Sequence, residues 1–492
     1  MSHARSHRLA LWLAGAASCG AALASAAPIL AQSSGPAQVQ KLKKLYFDGK
    51  IDDAEKEALK HLEAAPNDVD VRIVLANCYH RRAMDLSKDT ESVSLEPGQE
   101  TPGAQWFAKS IQELKEALHT VEEARKKDPS IPRRSDIWLG LCQIEQEARD
   151  IDGLVDCTAE TAAKFADDSQ LMDLLRDNVR PFIIRQEYDK AAAVLQALAE
   201  HTPRNRDTLL ALGRAQYLSG KRAEGISTIG KVLDFDSGEA EAQYQMAELS
   251  AYEGDFKKAA RYFAPAARQG ARQGLAQIGL VTAMHTFDRH TAIEFVKHAE
   301  NKWKVAKRSA PSTMALNLNA QLGKLLQQSI PSALDVLEVA RMLSAADFQP
   351  GALAELQVAL TIDRGMAEAL FLQANVYARL FQHDRAAASL AKGLEVMEQQ
   401  PERTFGVSRD ELLSSLGKEQ FRLGRFEDAL ASFSKLSNTD PYAYEIALTN
   451  DRLGRQAEAA RLFHQVVEKG ADPQQVDDAR RRLASPSYQN LH

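Results

Sequence analysis

Cysteine is scarce in this 492-residue chain: only Cys19, Cys78, Cys142 and Cys157, none in a C-x-x-C pair. That excludes a disulfide-dense scaffold and a cysteine-rich zinc module. A basic excess is also missing. Lys and Arg total 61 against 67 Asp and Glu, a net charge of −6. A dedicated nucleic-acid binder carries the opposite balance, so no nucleic-acid partner is expected. After residue 31 no stretch stays apolar for the roughly 20 residues that a spanning helix needs. Catalytic signatures are absent too: there is no H-E-x-x-H, no G-x-S-x-G and no C-x-x-C-H. Gly225 to Lys231 reads G-x4-G-K, but Val232 stands where a magnesium-binding Ser or Thr is required, and no strand precedes it. His285 and His290 miss the i, i+4 spacing of a helical metal pair. The expectation is a protein that is not an enzyme and carries no cofactor or metal. What remains is 45% hydrophobic and 26% charged, the composition of a folded chain.

The N-terminus reads as an address. Residues 1–8 carry Arg5 and Arg8 and no acid, residues 9–31 carry no charge, and Ala24-Ser25-Ala26-Ala27 precedes Pro28. Basic start, apolar middle and small-residue cut predict a signal peptide over residues 1–27. A later cut after Ala31 and an uncleaved anchor are the alternatives. Ala16 stands where a lipoprotein box wants a branched apolar residue, so Cys19 is a poor lipidation site. The expected location is exported, in a bacterial periplasm or at the envelope, with membrane contact only through the signal sequence or an envelope partner.

One unit recurs along the rest. A small residue, then a bulky apolar one four positions on, then a small or apolar one three further, defines one helical face. It appears as Ala191/Leu195/Leu198, Ala259/Phe263/Ala266, Ala292/Val296/Ala299, Ala352/Leu356/Ala359, Ala386/Leu390, Ala429/Phe433/Leu436 and Ala459/Phe463/Val466. A turn and another amphipathic helix precede each, with a small residue at Gly213, Ala247, Ala340, Ala374, Gly417 or Ala447. Ala191, Gly225 and Ala259 are 34 apart, as are Ala352 and Ala386. Pro66, Pro129, Pro203 and Pro441 close units by blocking helix continuation.

The pattern resembles the tetratricopeptide repeat family, whose unit is a 34-residue helix–turn–helix. Its clearest copy runs Leu416-Gly417 … Gly424-Arg425-Phe426 … Ala429 … Phe433 … Asp440-Pro441. The resemblance implies an all-α, right-handed α-solenoid of about eleven stacked hairpins. Gly225 departs from the expected Ala, and the unit near 131–165 matches only through Leu139-Gly140. The organisation read from this is N-terminal degenerate repeats over 36–204 with an inserted loop at 85–103, and central repeats over 205–305. An irregular helical connector follows over 306–332 with an extra helix around 316–327. C-terminal repeats occupy 333–473, and a capping helix with a loose tail occupies 474–492. Cys142 and Cys157 fall on the two helices of one hairpin, where they either pair as a disulfide or stay two small buried thiols.

In this family the first helices line a concave groove that holds peptides or partner proteins. Carried over, Glu368, Phe371, Asn375 and Arg379, then Glu411, Ser414, Lys418 and Arg422, then Tyr444 and Arg452 point inward. Arg379, Arg422 and Arg452 form a basic ladder, and Asn77, His80 and Arg81 form a second inner cluster. Phe371, Ser414 and Tyr444 occupy a key place of the family's carboxylate clamp, so a true clamp is not expected. The candidate partner-binding set is Phe371, Asn375, Arg379, Lys418, Arg422, Arg452, Asn77 and Arg81, reading an acidic or extended peptide; the plain alternative is a solvated charged face. The implied function is a non-catalytic interaction scaffold of the periplasm or envelope, the alternative an accessory subunit of a polysaccharide synthesis or export machine.

Overall fold

The anchors of the repeat are where the chain packs tightest. In a computed structural model, which describes residues 37–87, 103–305 and 311–489, Ala259, Leu195, Leu356, Phe433 and Phe463 are all fully buried. Two amphipathic helices cannot cover their own apolar faces, so neighbouring hairpins within a compact unit bury their anchors against one another. The result is all-α, with eleven helical hairpins and no strand among the described residues.

Local chemistry starts and stops these helices. Asp150, Asp168, Asn205 and Asp255 each cap a helix by accepting a hydrogen bond from the backbone N–H three residues on. Ser332 with Asp335, and Ser408 with Glu411, form full capping boxes. In nine of the hairpins a residue with positive φ stops the first helix, including Gln186, Gly220 and Gly254, spaced by 34. The next N–H bonds back to the carbonyl five residues earlier, as in Glu187 to Phe182 and Lys221 to Gln216. This is the Schellman stop, and it repeats with the period of the sequence. At four of these turns a side-chain-bearing residue takes the strained place: Arg149, Gln186, Asp347 and Phe381.

The chain divides into two compact units, up to Phe235 and from Asp236. The first holds five hairpins: Ala37–Phe47 with Ile51–Ala64, Val69–Ser87 with Ala104–Lys127, Ser135–Ala148 with Ile151–Phe165, Ser169–Asp177 and Arg180–Ile184 with Tyr188–His201, and Arg206–Leu218 with Arg222–Phe235. The split first helix of hairpin four has Pro181 at the start of its second piece, and proline lacks the N–H that would continue the ladder. The loop expected at 85–103 is shorter at its start, because the first helix of hairpin two runs through Ser87. Residues 88–102 lie outside the described residues, as does the signal-peptide segment. Gly225, odd against the repeat pattern, has a steric reason: a Cβ there would stand 2.4 Å from the Gly213 carbonyl oxygen. Hairpin five crosses more closely than alanine permits.

The second unit holds hairpins six to eleven. They are Ala240–Tyr252 with Phe256–Arg268, Leu275–His285 with Arg289–Val305, Ala333–Ala345 with Gln349–Ile362, Ala367–Arg379 with His383–Gln399, Arg409–Arg422 with Phe426–Phe433, and Ala443–Arg452 with Gln456–Lys469. An extra helix, Thr313–Gln327, separates hairpins seven and eight. Hairpin eight then folds back: its second helix, Gln349–Ile362, packs on the first helices of both hairpins six and seven. The buried His285 Nδ1 and Glu355 Oε2 meet there at 2.9 Å, and Arg385 of hairpin nine donates to the Tyr252 carbonyl and Glu253. The face of hairpins six and seven that a plain stack leaves open is thus filled by the chain itself, and Ala242 to Tyr252 are buried without a gap. Pro473–Leu483 caps the end. The tail after Ala484 was expected loose, but Pro486–Gln489 forms a further short helix. Tyr488 there sets its ring against Phe463 at 5.9 Å, which pins the segment.

Candidate functional site

Helical spacing decides which side chains can share a groove: residues three, four and seven apart stand on one face. On Ala367–Arg379 that face carries Glu368, Phe371 and Asn375. They line a concavity of about 290 Å³ with Arg341 of the preceding first helix and Glu411 of the following one. Leu372, Gly406 and Val407 complete its wall. Gly406 and Val407 come from the loop after His383–Gln399, which at 17 residues is long for these hairpins.

Electrostatics hold the wall in place. Arg403 pairs with Asp363 at 2.6 Å, a contact that lowers the Asp363 carboxyl below its ordinary pKa. The Gly406 N–H donates to Glu368 Oε1, and Glu368 Oε2 is buried without a partner. Glu411 Oε2 accepts from the Ser408 N–H at 2.7 Å and from the Ser408 hydroxyl at 2.8 Å, and those bonds lower its pKa. Phe371 packs its ring on the apolar cluster of hairpins nine and ten. The Asn375 amide and the Arg341 guanidinium have no partner among the described residues.

The structure divides the eight expected residues. Phe371 and Asn375 are in the concavity. Arg379 donates to the Ser344 carbonyl at 3.1 Å. Lys418 pairs with Glu445 at 3.0 Å, and Arg422 pairs with Glu419. Arg452 stands exposed near the chain's end. The ladder is present in sequence, but Arg379, Lys418 and Arg422 already hold oxygens of their own chain. Asn77 and Arg81 lie in the first unit. Asn77 is 2% exposed and donates to the Ile73 carbonyl, so burial removes it from any binding face. Arg81 is exposed and pairs with Asp85 at 3.2 Å. Arg341 was missed, although it stands 34 residues before Asn375 and the repeat period points to it.

Cys142 and Cys157 form a disulfide, with S–S 2.14 Å and Cα–Cα 5.5 Å, closing hairpin three. Among the described residues, no group of three or more His, Cys, Asp or Glu is placed to hold a metal ion. No described helix is long and apolar enough to cross a membrane.

No known family matches the chain, and no curated protein does. Solved structures overlay weakly. The Cut9–Hcn1 hetero-tetramer of the APC/C is 14% identical, with 91% of this chain and 90% of that one covered and a TM-score of 0.28. A tetratricopeptide repeat protein from Parabacteroides merdae ATCC 43184 is 11% identical, covering 70% of this chain and 99% of that one at a TM-score of 0.24. MamA is 15% identical, covering 46% and 98% at a TM-score of 0.19. Overlays this loose carry no argument, so the assignment rests on the chain's own period, anchors and turns. By those, it is an all-α protein of helix–turn–helix units whose period and turns resemble the tetratricopeptide repeat.

Proposed function

We propose that this chain is a non-catalytic scaffold that holds a partner protein or an extended peptide against the first helices of hairpins eight to ten. One observation carries the reading. The concavity there combines a half-buried aromatic ring, Phe371, with unengaged polar groups on Asn375 and Arg341. An apolar floor with a few convergent polar groups is the usual make-up of a binding site. The corresponding face of hairpins six and seven is filled by Gln349–Ile362, which leaves the later hairpins as the place for a partner. We place the protein in a bacterial periplasm or at the envelope. The signal-type N-terminus supports that location, and so does the Cys142–Cys157 pair, since disulfides persist in oxidising compartments.

The test is crosslinked affinity purification of the tagged, exported protein from host envelope, beside a Phe371→Ala/Asn375→Ala variant. Partners lost only with the variant are the expected result. An identical partner set with both proteins overturns the groove assignment.

A further inference from the structure

Hairpins two and three of the first unit meet on charged groups. Glu145, on Ser135–Ala148, has 1% of its side chain exposed, and its Oε2 is buried without a hydrogen-bond partner. Its other oxygen has Lys115 of Ala104–Lys127 at 3.2 Å, a lysine that is itself 56% exposed. Gly153 closes the place from the second helix of hairpin three: a Cβ there would stand 3.1 Å from the Glu145 carboxyl carbon. The other charges that act on Glu145 are two acids, Asp150 and Asp156 of the same hairpin. Two residues on, Glu147 meets His80 of Val69–Ser87, a pair that is ionic only while the imidazole is protonated. The remaining charges between these elements are engaged elsewhere: Arg134 with Asp70 and Asp136, and Arg72 with Glu113. Ser169–Asp177 also packs on this helix, and its Arg176 is held by Asp173 at 2.9 Å. An ionised Glu145 thus has one cation, mostly in solvent, against two acids and a dry wall. Admitting water is the direct relief for such a group. Cys142–Cys157 ties the two helices of hairpin three together, so the face that can part is the one toward Ala104–Lys127.

We infer that the joint between hairpins two and three is a pH-operated device, closed while Glu145 holds its proton and opened locally to water when that proton leaves. The device is independent of the groove. Burial keeps the closed carboxyl protonated up to about pH 7, whereas an opened, hydrated one lets go near its ordinary 4.5. The open population therefore rises with pH. Full ionisation multiplies the opening constant roughly 300-fold, and the interval from pH 5 to pH 8 covers on the order of 50-fold of that. His80 works in the same direction, since losing its proton leaves Glu147 without a cation.

Hydrogen exchange of the full, oxidised chain at pH 5 and pH 8, corrected for the intrinsic pH dependence of amide exchange, tests this. Opening in Ala104–Lys127 and Ser135–Ala148 should rise on the order of 50-fold between the two pH values. Ala367–Arg379 of the second unit should change little. Glu145→Gln keeps the shape and removes the charge, so it should match wild type at pH 5 and reduce the rise to less than about fivefold. A rise of fivefold or more in that variant overturns the inference. So does a wild-type rise below fivefold, or an equal rise in Ala367–Arg379, which would mean that the chain opens as a whole. Should Glu145→Gln not fold, Lys115→Met at an exposed position decides. Removing the one cation beside Glu145 should deepen the loss of protection at pH 8 and leave pH 5 unchanged. Protection at pH 8 equal to or above wild type in that variant overturns the inference as well.

Discussion

The carboxyl of Glu145 sits on the first helix of hairpin three with 1% of its side-chain surface exposed. Burial pushes its pKa up to about 7, against the opposing pull of Lys115 at 3.2 Å. A raised folded pKa means that the native state holds the proton more tightly than the unfolded chain. The stabilisation is therefore full below pH 4.5 and lost as pH rises through 7. A shift of this size corresponds to about 3 kcal/mol. Glu145→Gln should melt close to wild type at pH 5 and higher than wild type at pH 8. Parallel melting behaviour at both pH values would remove the titration from the account. Nothing in the sequence marks Glu145 as buried, because a carboxylate at a helical position reads as solvent-facing until its neighbours are placed.

At the scale of the element, two features of hairpin three are open to test. Its turn residue Arg149 has φ 61 without being glycine. A left-handed backbone costs a side-chain-bearing residue roughly 1–2 kcal/mol. Arg149→Gly should stabilise the protein by about 1 kcal/mol, read from denaturant midpoints, and a lower midpoint would show that Arg149 makes a compensating contact. The Cys142–Cys157 bond closes a loop of 15 residues. In the chain-entropy model that contributes about 3 kcal/mol, so reduction should lower the melting temperature. Cys78 is fully buried, and burial pushes its thiol up to about 12. Of these three cysteines, alkylation of the unreduced native protein should label none. Unfolding without reductant should label one, and unfolding with reductant all three. Three labels without reductant would exclude the bond.

The second unit as a whole depends on the fold-back of hairpin eight. His285 and Glu355 are both buried where Gln349–Ile362 meets hairpin seven. Glu355→Ala leaves His285 buried and without its partner, a loss of about 3–5 kcal/mol for a broken buried pair. Hydrogen exchange should then quicken together in Leu275–His285 and Gln349–Ile362, 70 residues apart at the mutated contact. Quickening confined to one helix would show that the two do not share a cooperative unit. The sequence carries a trace of this arrangement: Leu275–His285 and Gln349–Ile362 are apolar on nearly every side rather than along one stripe. Such helices are buried all round. Read one hairpin at a time, that pattern was absorbed into the repeat.

The sequence by itself determined the repeat. Small and bulky anchors four residues apart, prolines between units and glycines at the turns are local requirements, since each acts within one hairpin or between neighbours in the stack. Ala259, Phe433 and Gly424 could be assigned their roles from spacing alone, and the faces of Ala367–Arg379 and Arg409–Arg422 could be read the same way. Only the tertiary structure decided which of those faces stays open. Whether Arg379 reaches a ligand or the Ser344 carbonyl depends on a neighbouring helix end. Whether hairpins six and seven offer a groove depends on a helix, Gln349–Ile362, that returns from later in the chain to fill it. Periodicity fixes a side chain's direction on its own helix, while the competing partners it meets are set by contacts that no local pattern encodes.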